Sequence, residues 1–172
     1  MRRLAESVRT LRPDTIVVAT PHNLRLLGKI GIVVAENSSG RLRESRREVS
    51  LKARCDVKFA RKILRRASRA ALPVVGANYG TAEGSSSEMP MDWGTLVPLW
   101  FFLKENRLKS EMVIVTPSRE IPLVRNFEFG MVLGDLAERD AKENHLRRQR
   151  RPGPRTQEGW AVRFQPNGLR LR

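Results

Sequence analysis

Disulfides are excluded first, because the chain of 172 residues has a single cysteine, Cys55, and so no internal pair to bridge. The opening Met-Arg-Arg-Leu-Ala-Glu-Ser-Val-Arg-Thr-Leu-Arg has charges scattered where a secretion signal needs an unbroken apolar core. A lone thiol and no leader of this kind point to a reducing, cytoplasmic setting. Long apolar runs are missing too. The longest, Leu96 to Leu103, is far too short to span a bilayer, so a soluble chain with no membrane partner is expected. Aromatic residues make up only 6% of the chain, which leaves its basic stretches without the stacking platform that single-stranded nucleic acids use. There is no internal repeat, and no low-complexity segment before residue 141.

Positive charge is what the chain has in excess. The formal net charge is +15, which raises polyanions as partners. Its distribution weakens that reading: residues 141–172 hold nine Lys/Arg against two Glu, so nearly half of the excess sits in the last stretch. The 40% hydrophobic content is enough for a real core, and the length fits one domain.

Leu4, Val8 and Leu11 recur at helical spacing, so the chain is expected to open inside an amphipathic helix that Arg12-Pro13-Asp14 breaks. Thr15 to Thr20 is a continuous β-prone run of the kind buried on both faces of a parallel sheet. His22 follows at its carboxyl end, where an imidazole can bind a metal, move a proton, or simply hydrogen-bond a loop carbonyl. Ile30 to Glu36 reads as a second strand, Asn37-Ser38-Ser39-Gly40 as a turn, and Arg41 to Glu48 as a solvated loop or hairpin tip. Val49 to Cys55 alternates like a sheet-edge strand with one wet face. Asp56 is placed to cap a helix whose stripe is Val57, Ala60, Ile63, Leu64 and Ala67; its remaining surface is basic, a face that is either solvated or phosphate-seeking.

The stretch from Leu72 to Phe102 organises the rest. It reads as a short strand (Val74, Val75), a Gly/Ser-rich loop, and a helix capped by Asp92 with Leu96, Leu99 and Trp100 on one side. Ligands of α/β proteins sit at such strand-to-helix connections, although many connections of this kind bind nothing. Met112 to Thr116 is a fully buried strand, and the helix from about Leu123 to Arg139 is expected to face inward with Val124, Phe127, Met131, Leu133 and Leu136. The alternation implies an α/β fold with a mixed, largely parallel sheet flanked by helices.

Three phrases, Thr15 to Asn23, Met91 to Leu99 and Val113 to Leu123, resemble in order and approximate spacing the class III extradiol ring-cleavage dioxygenases of the catalytic B-subunit type, whose wider group also includes the dioxygenase-like Memo proteins. The resemblance covers roughly Met1 to Arg139. It implies a non-haem Fe(II) site of two histidines and a glutamate, with a catecholic ring and O2 as small-molecule partners. By this match His22 is one metal ligand, and Asp92, Trp93 and Gly94 form the substrate-side turn. Many members read Asp-His-Gly there, and Trp93 replaces that histidine.

The resemblance also implies what this chain lacks. The family begins with a strand ending in another metal histidine, upstream of the helix that opens here, and beyond Arg139 it continues to an acid/base histidine and a glutamate ligand. The expected product is therefore an incomplete domain, residues 1–140, that does not retain Fe(II) and is inactive as given, with no catalytic residue assigned. Residues 141–172 are expected to be a basic, disordered tail. A forward shift of one nucleotide permits codons for Lys142 to Asn167 that encode a family-like strand and histidine loop, so out-of-frame translation accounts for that composition. The other readings are a basic module that binds nucleic acid or another polyanion, which has no base-reading motif to support it, and a non-catalytic Memo-like scaffold. A homo-oligomer is compatible with each.

Overall fold

The computed structural model describes residues 1–45 and 47–149. Its elements are α1 (Arg2–Leu11), β1 (Thr15–Ala19), β2 (Ile30–Val33), β3 (Asn37–Glu44), β4 (Arg47–Arg54), α2 (Val57–Arg69), β5 (Val74–Ala77), β6 (Glu88–Pro90), α3 (Trp93–Leu99), β7 (Glu111–Thr116) and α4 (Leu123–Gln149). A π-helical segment, Trp100–Glu105, continues α3. Met1–Glu138 forms one compact unit; of a second, Arg139–Arg172, only the helical stretch to Gln149 is described. No described helix is long and apolar enough to cross a membrane.

The apolar runs pair into a mixed four-stranded sheet of order β1-β7-β2-β5. β1 runs parallel to β7 and β2 parallel to β5, while β2 and β7 are antiparallel. Because side chains alternate across a strand, β7 serves two cores at once. Val113 and Val115 pack with Ile30, Ile32, Ala60, Ile63 and Phe129 on one face. Met112 and Ile114 pack with Ala5, Val33, Leu99 and Phe102 on the other. A strand covered on both sides has no polar position to alternate with, which is why Met112 to Thr116 reads as one continuous apolar run.

Asp56 closes the α2 end of this arrangement. One carboxylate oxygen accepts from the Phe59 N–H at 2.9 Å, the other from Thr15 Oγ1 at 2.7 Å, and its own N–H donates to the Met112 carbonyl. A single side chain thus caps α2 and fixes it to β1.

Four expectations are corrected. Asn37-Ser38-Ser39-Gly40 is not a turn but the start of β3, which pairs with β4 and β6 in a three-stranded sheet of order β4-β3-β6. Tertiary contacts decide this: Ser38 Oγ donates to the Met89 carbonyl at 2.6 Å, and a Cβ on Gly40 would stand 2.8 Å from Met91 Cβ, so only glycine lets the two segments close. The segment from Arg41 to Glu48 is the tip of that hairpin, turning at Ser45 with φ 52°.

β1 is not buried on both faces. Among the described residues it is an edge strand bonded to β7 alone, with Val17 and Ala19 exposed. In α1 the inward positions are Ala5 and Val8, because the short Ala5 side chain lets the helix approach; Leu4 and Leu11 are 54% and 61% exposed. In α4 the inward residues are Phe129, Val132, Leu133 and Leu136, whereas Val124, Phe127 and Met131 are 56%, 67% and 59% exposed. That helix carries apolar residues on two sides, and periodicity alone cannot choose between them. It also runs past Arg139 to Gln149, through residues with good helix propensity and no proline. The expectations of a disordered end and of out-of-frame coding fall mainly on residues 150–172, which lie outside the described residues.

Cys55 lies at the end of β4, 5% exposed, and its thiol is pushed up to about 12 by burial and then by the nearby Glu111 charge. An unfolded thiol ionises near about 8.5. Between these values the unfolded chain releases a proton that the folded chain keeps, so this contribution is complete below about pH 8.5 and is lost as pH rises toward 12. Urea midpoints measured at increasing pH are expected to fall more steeply for the native chain than for Cys55→Ala; parallel curves would contradict the buried thiol.

Candidate functional site

Two strand ends and one helix start build the site. β1 and β7 run parallel, so their carboxyl ends open at the same edge of the sheet, where helix N-termini and loops commonly meet ligands. Thr20 extends β1 by donating its N–H to the Val115 carbonyl at 3.0 Å. The chain then turns sharply, and the His22 N–H donates to Thr20 Oγ1 at 3.2 Å.

Thr20 is the residue that joins the halves. Its side chain is 1% exposed, and its hydroxyl lies 3.2 and 3.1 Å from the two oxygens of Asp92. Asp92 is the N-cap of α3, accepting from the Thr95 N–H at 2.8 Å and from Thr95 Oγ1 at 3.3 Å. A carboxylate at a helix start satisfies an orphan N–H and complements the helix dipole. Here it also anchors the strand that carries His22.

The His22 ring lies 4.5 Å from the Trp93 ring with the planes tilted by 33°. Both side chains are exposed. Gly94 makes the approach possible: a Cβ there would stand 2.9 Å from Asp92 Oδ1, 2.9 Å from Thr20 Oγ1 and 3.3 Å from His22 Cδ2. The structure therefore brings His22, Asp92, Trp93 and Gly94 to one end of the sheet, with Asn23 Nδ2 donating to the Pro90 carbonyl alongside. Thr20 escaped the sequence reading; its signal is a hydroxyl at the exit of an apolar strand, two residues before a histidine.

Beside His22 lies a cleft of about 320 Å³ lined by Pro21, Arg25, Lys29, Ser118 and Arg119 among others. Its rim is held by Glu120, which accepts from the Gly28 N–H at 2.9 Å and from Arg25 Nη2 at 3.0 Å. These partners, the backbone N–H first, hold the Glu120 carboxyl below the usual carboxylate range. Gly28 needs the left-handed conformation (φ 62°) to present that N–H. The cleft wall is thus cationic, bound to the sheet by the loops after β1 and β7.

Metal ligation asks for several donors converging on one point. Among the described residues no group of three or more His, Cys, Asp or Glu side chains could hold a metal ion. Asp92 is turned to Thr20 and Thr95, and His22 lies against an indole. The described residues do not fit a resident Fe(II).

No curated protein matches the chain. A family model described as the catalytic LigB subunit of aromatic ring-opening dioxygenase matches residues 1–145.

Proposed function

Because the chain belongs to this family of aromatic ring-opening dioxygenase catalytic subunits, we propose that it is an incomplete extradiol domain that keeps one wall of the catechol cleft and does not open rings by itself. In this reading His22 is the metal-side imidazole, Asp92, Trp93 and Gly94 are the substrate-side turn, and Fe(II), O2 and a catecholic ring belong to the complete family site. The observation that supports it is the packing of His22 on the Asp92-Trp93-Gly94 turn, which three separate phrases of the sequence imply and which the Thr20–Asp92 hydrogen bonds fix.

The Asp92 carboxylate caps α3, and an imidazole alone does not hold a divalent ion against water. Trp93 adds an exposed flat surface on which an aromatic ring can lie. Purified chain loaded anaerobically with Fe(II), then given a catechol and O2, is expected to form yellow ring-opened product no faster than Fe(II) in buffer. Turnover above that blank, lost on His22→Ala, would show an active site where none is proposed.

A further inference from the structure

A groove of about 1040 Å³ follows β4 and reaches Glu111 at the amino end of β7. It is lined by Ser50, Leu51, Lys52, Ala53 and Arg54 in unbroken succession. Side chains of a strand alternate between faces, so five consecutive residues bring the backbone of β4 as well as its side chains to the groove, which also reaches Ser39, Gly40 and Arg41 of the adjoining β3. Within its sheet β4 is an edge strand, paired among the described residues with β3; its outer side meets β7 only just past its end, where Cys55 bridges to Met112, and the edge before that point offers N–H and carbonyl groups to another extended chain. One such carbonyl is already used from the groove side: Lys104 Nζ donates to the Ser50 oxygen at 3.3 Å.

The far wall combines charge with apolar surface. Leu51, Met91, Leu103 and Leu108 supply apolar lining, and the exposed Lys104 and Lys109 supply charge. Lys52 and Arg54 are paired with Glu88 and Glu111. Lys104 and Lys109 have no carboxylate partner among the described residues.

We propose that this groove takes an extended acidic peptide as an added strand on β4, its backbone bonded to the edge, its acidic side chains at Lys104 and Lys109, and its alternate apolar side chains toward Leu51 and Leu108. Charge complementarity selects an acidic segment, and the strand edge selects a polypeptide. Nucleic acid fits less well, because no aromatic ring lines the groove for bases to stack on. The proposal is independent of any ring-opening role.

The test is fluorescence anisotropy of the full chain with a labelled peptide of about eight residues alternating Glu and Val, a typical strand length. Binding is expected, to be lost when alternate peptide amides are N-methylated, and to weaken at least about tenfold in Lys104→Glu/Lys109→Glu, whose fold is verified by circular dichroism. No binding, binding indifferent to N-methylation, or binding unchanged in the double variant would overturn the proposal. So would equal binding of a Lys/Val peptide, or of a DNA duplex that responds to the same variant, since either would mean that no acidic strand is being selected.

Discussion

Ile114→Ala is expected to remove about 3–4 kcal/mol of stability, within the range measured for truncating a fully buried isoleucine. Ile114 has no exposed surface and sits in the middle of β7, between β1 and β2. Its neighbours Ala5, Val33, Leu99 and Phe102 come from two helical layers and a strand, so no single element can shift to fill the void. Domains of this kind have about 5–15 kcal/mol in total, and the variant should unfold at a markedly lower urea midpoint with unchanged slope. Ile114→Val, which removes one methyl group, should cost about 1 kcal/mol. An alanine variant within about 1 kcal/mol of the native chain would mean that β7 is not the packed centre of the sheet.

The second large effect belongs to Asp92. Its replacement by Ala removes the α3 cap, worth about 1 kcal/mol, and strands the buried hydroxyls of Thr20 and Thr95, at about 1–3 kcal/mol for an unsatisfied buried group. A loss of about 2–4 kcal/mol is expected, together with release of His22 from Trp93. Asp92→Asn keeps an acceptor oxygen and should lose about 1 kcal/mol. Thr20→Val in the Asp92→Ala background should cost much less than in the native chain, because the partner is already gone. Additive losses in that double-mutant cycle would show that the Thr20 hydroxyl and the Asp92 carboxylate are not coupled.

Much of this arrangement is legible in the residues themselves. Asp56 and Asp92 announce helix starts because a short carboxylate before an apolar stripe has one common use. Met112 to Thr116 announces a doubly covered strand because it has no polar alternation. The α2 stripe could be read because most of its other positions are charged. The position of His22 beside the Asp92 turn followed from matching phrases rather than from periodicity.

What escaped depends on partners distant in sequence. Thr15 to Ala19 has the composition of an inner strand, yet its place at the edge is set by which strands join β7, a fact that no local pattern encodes. Asn37 to Gly40 has turn composition, and only the Ser38–Met89 bond and the close Gly40–Met91 approach make it a strand. In α1 and α4 several apolar faces compete, and the sheet takes the one that fits: the small Ala5 in α1, and Phe129 with Leu136 in α4. At the site, Thr20 could not be assigned to Asp92 because the two are 72 residues apart in the sequence.

The central position of β7 has a consequence for how the protein comes into being. During synthesis from the amino terminus, β1 and β2 emerge long before the strand that lies between them. Among the described residues β1 bonds no other strand, and β2 has only β5 until Thr116 has been made. Joining Thr15 to Glu111 closes a loop over more than half of the unit Met1–Glu138, the kind of long-range pairing that slows folding. The nascent chain therefore carries an apolar, unpaired β1 through most of translation, when an edge of that kind is most open to pairing with the wrong chain. A ribosome stalled before residue 111 holds a β1 with nowhere to go.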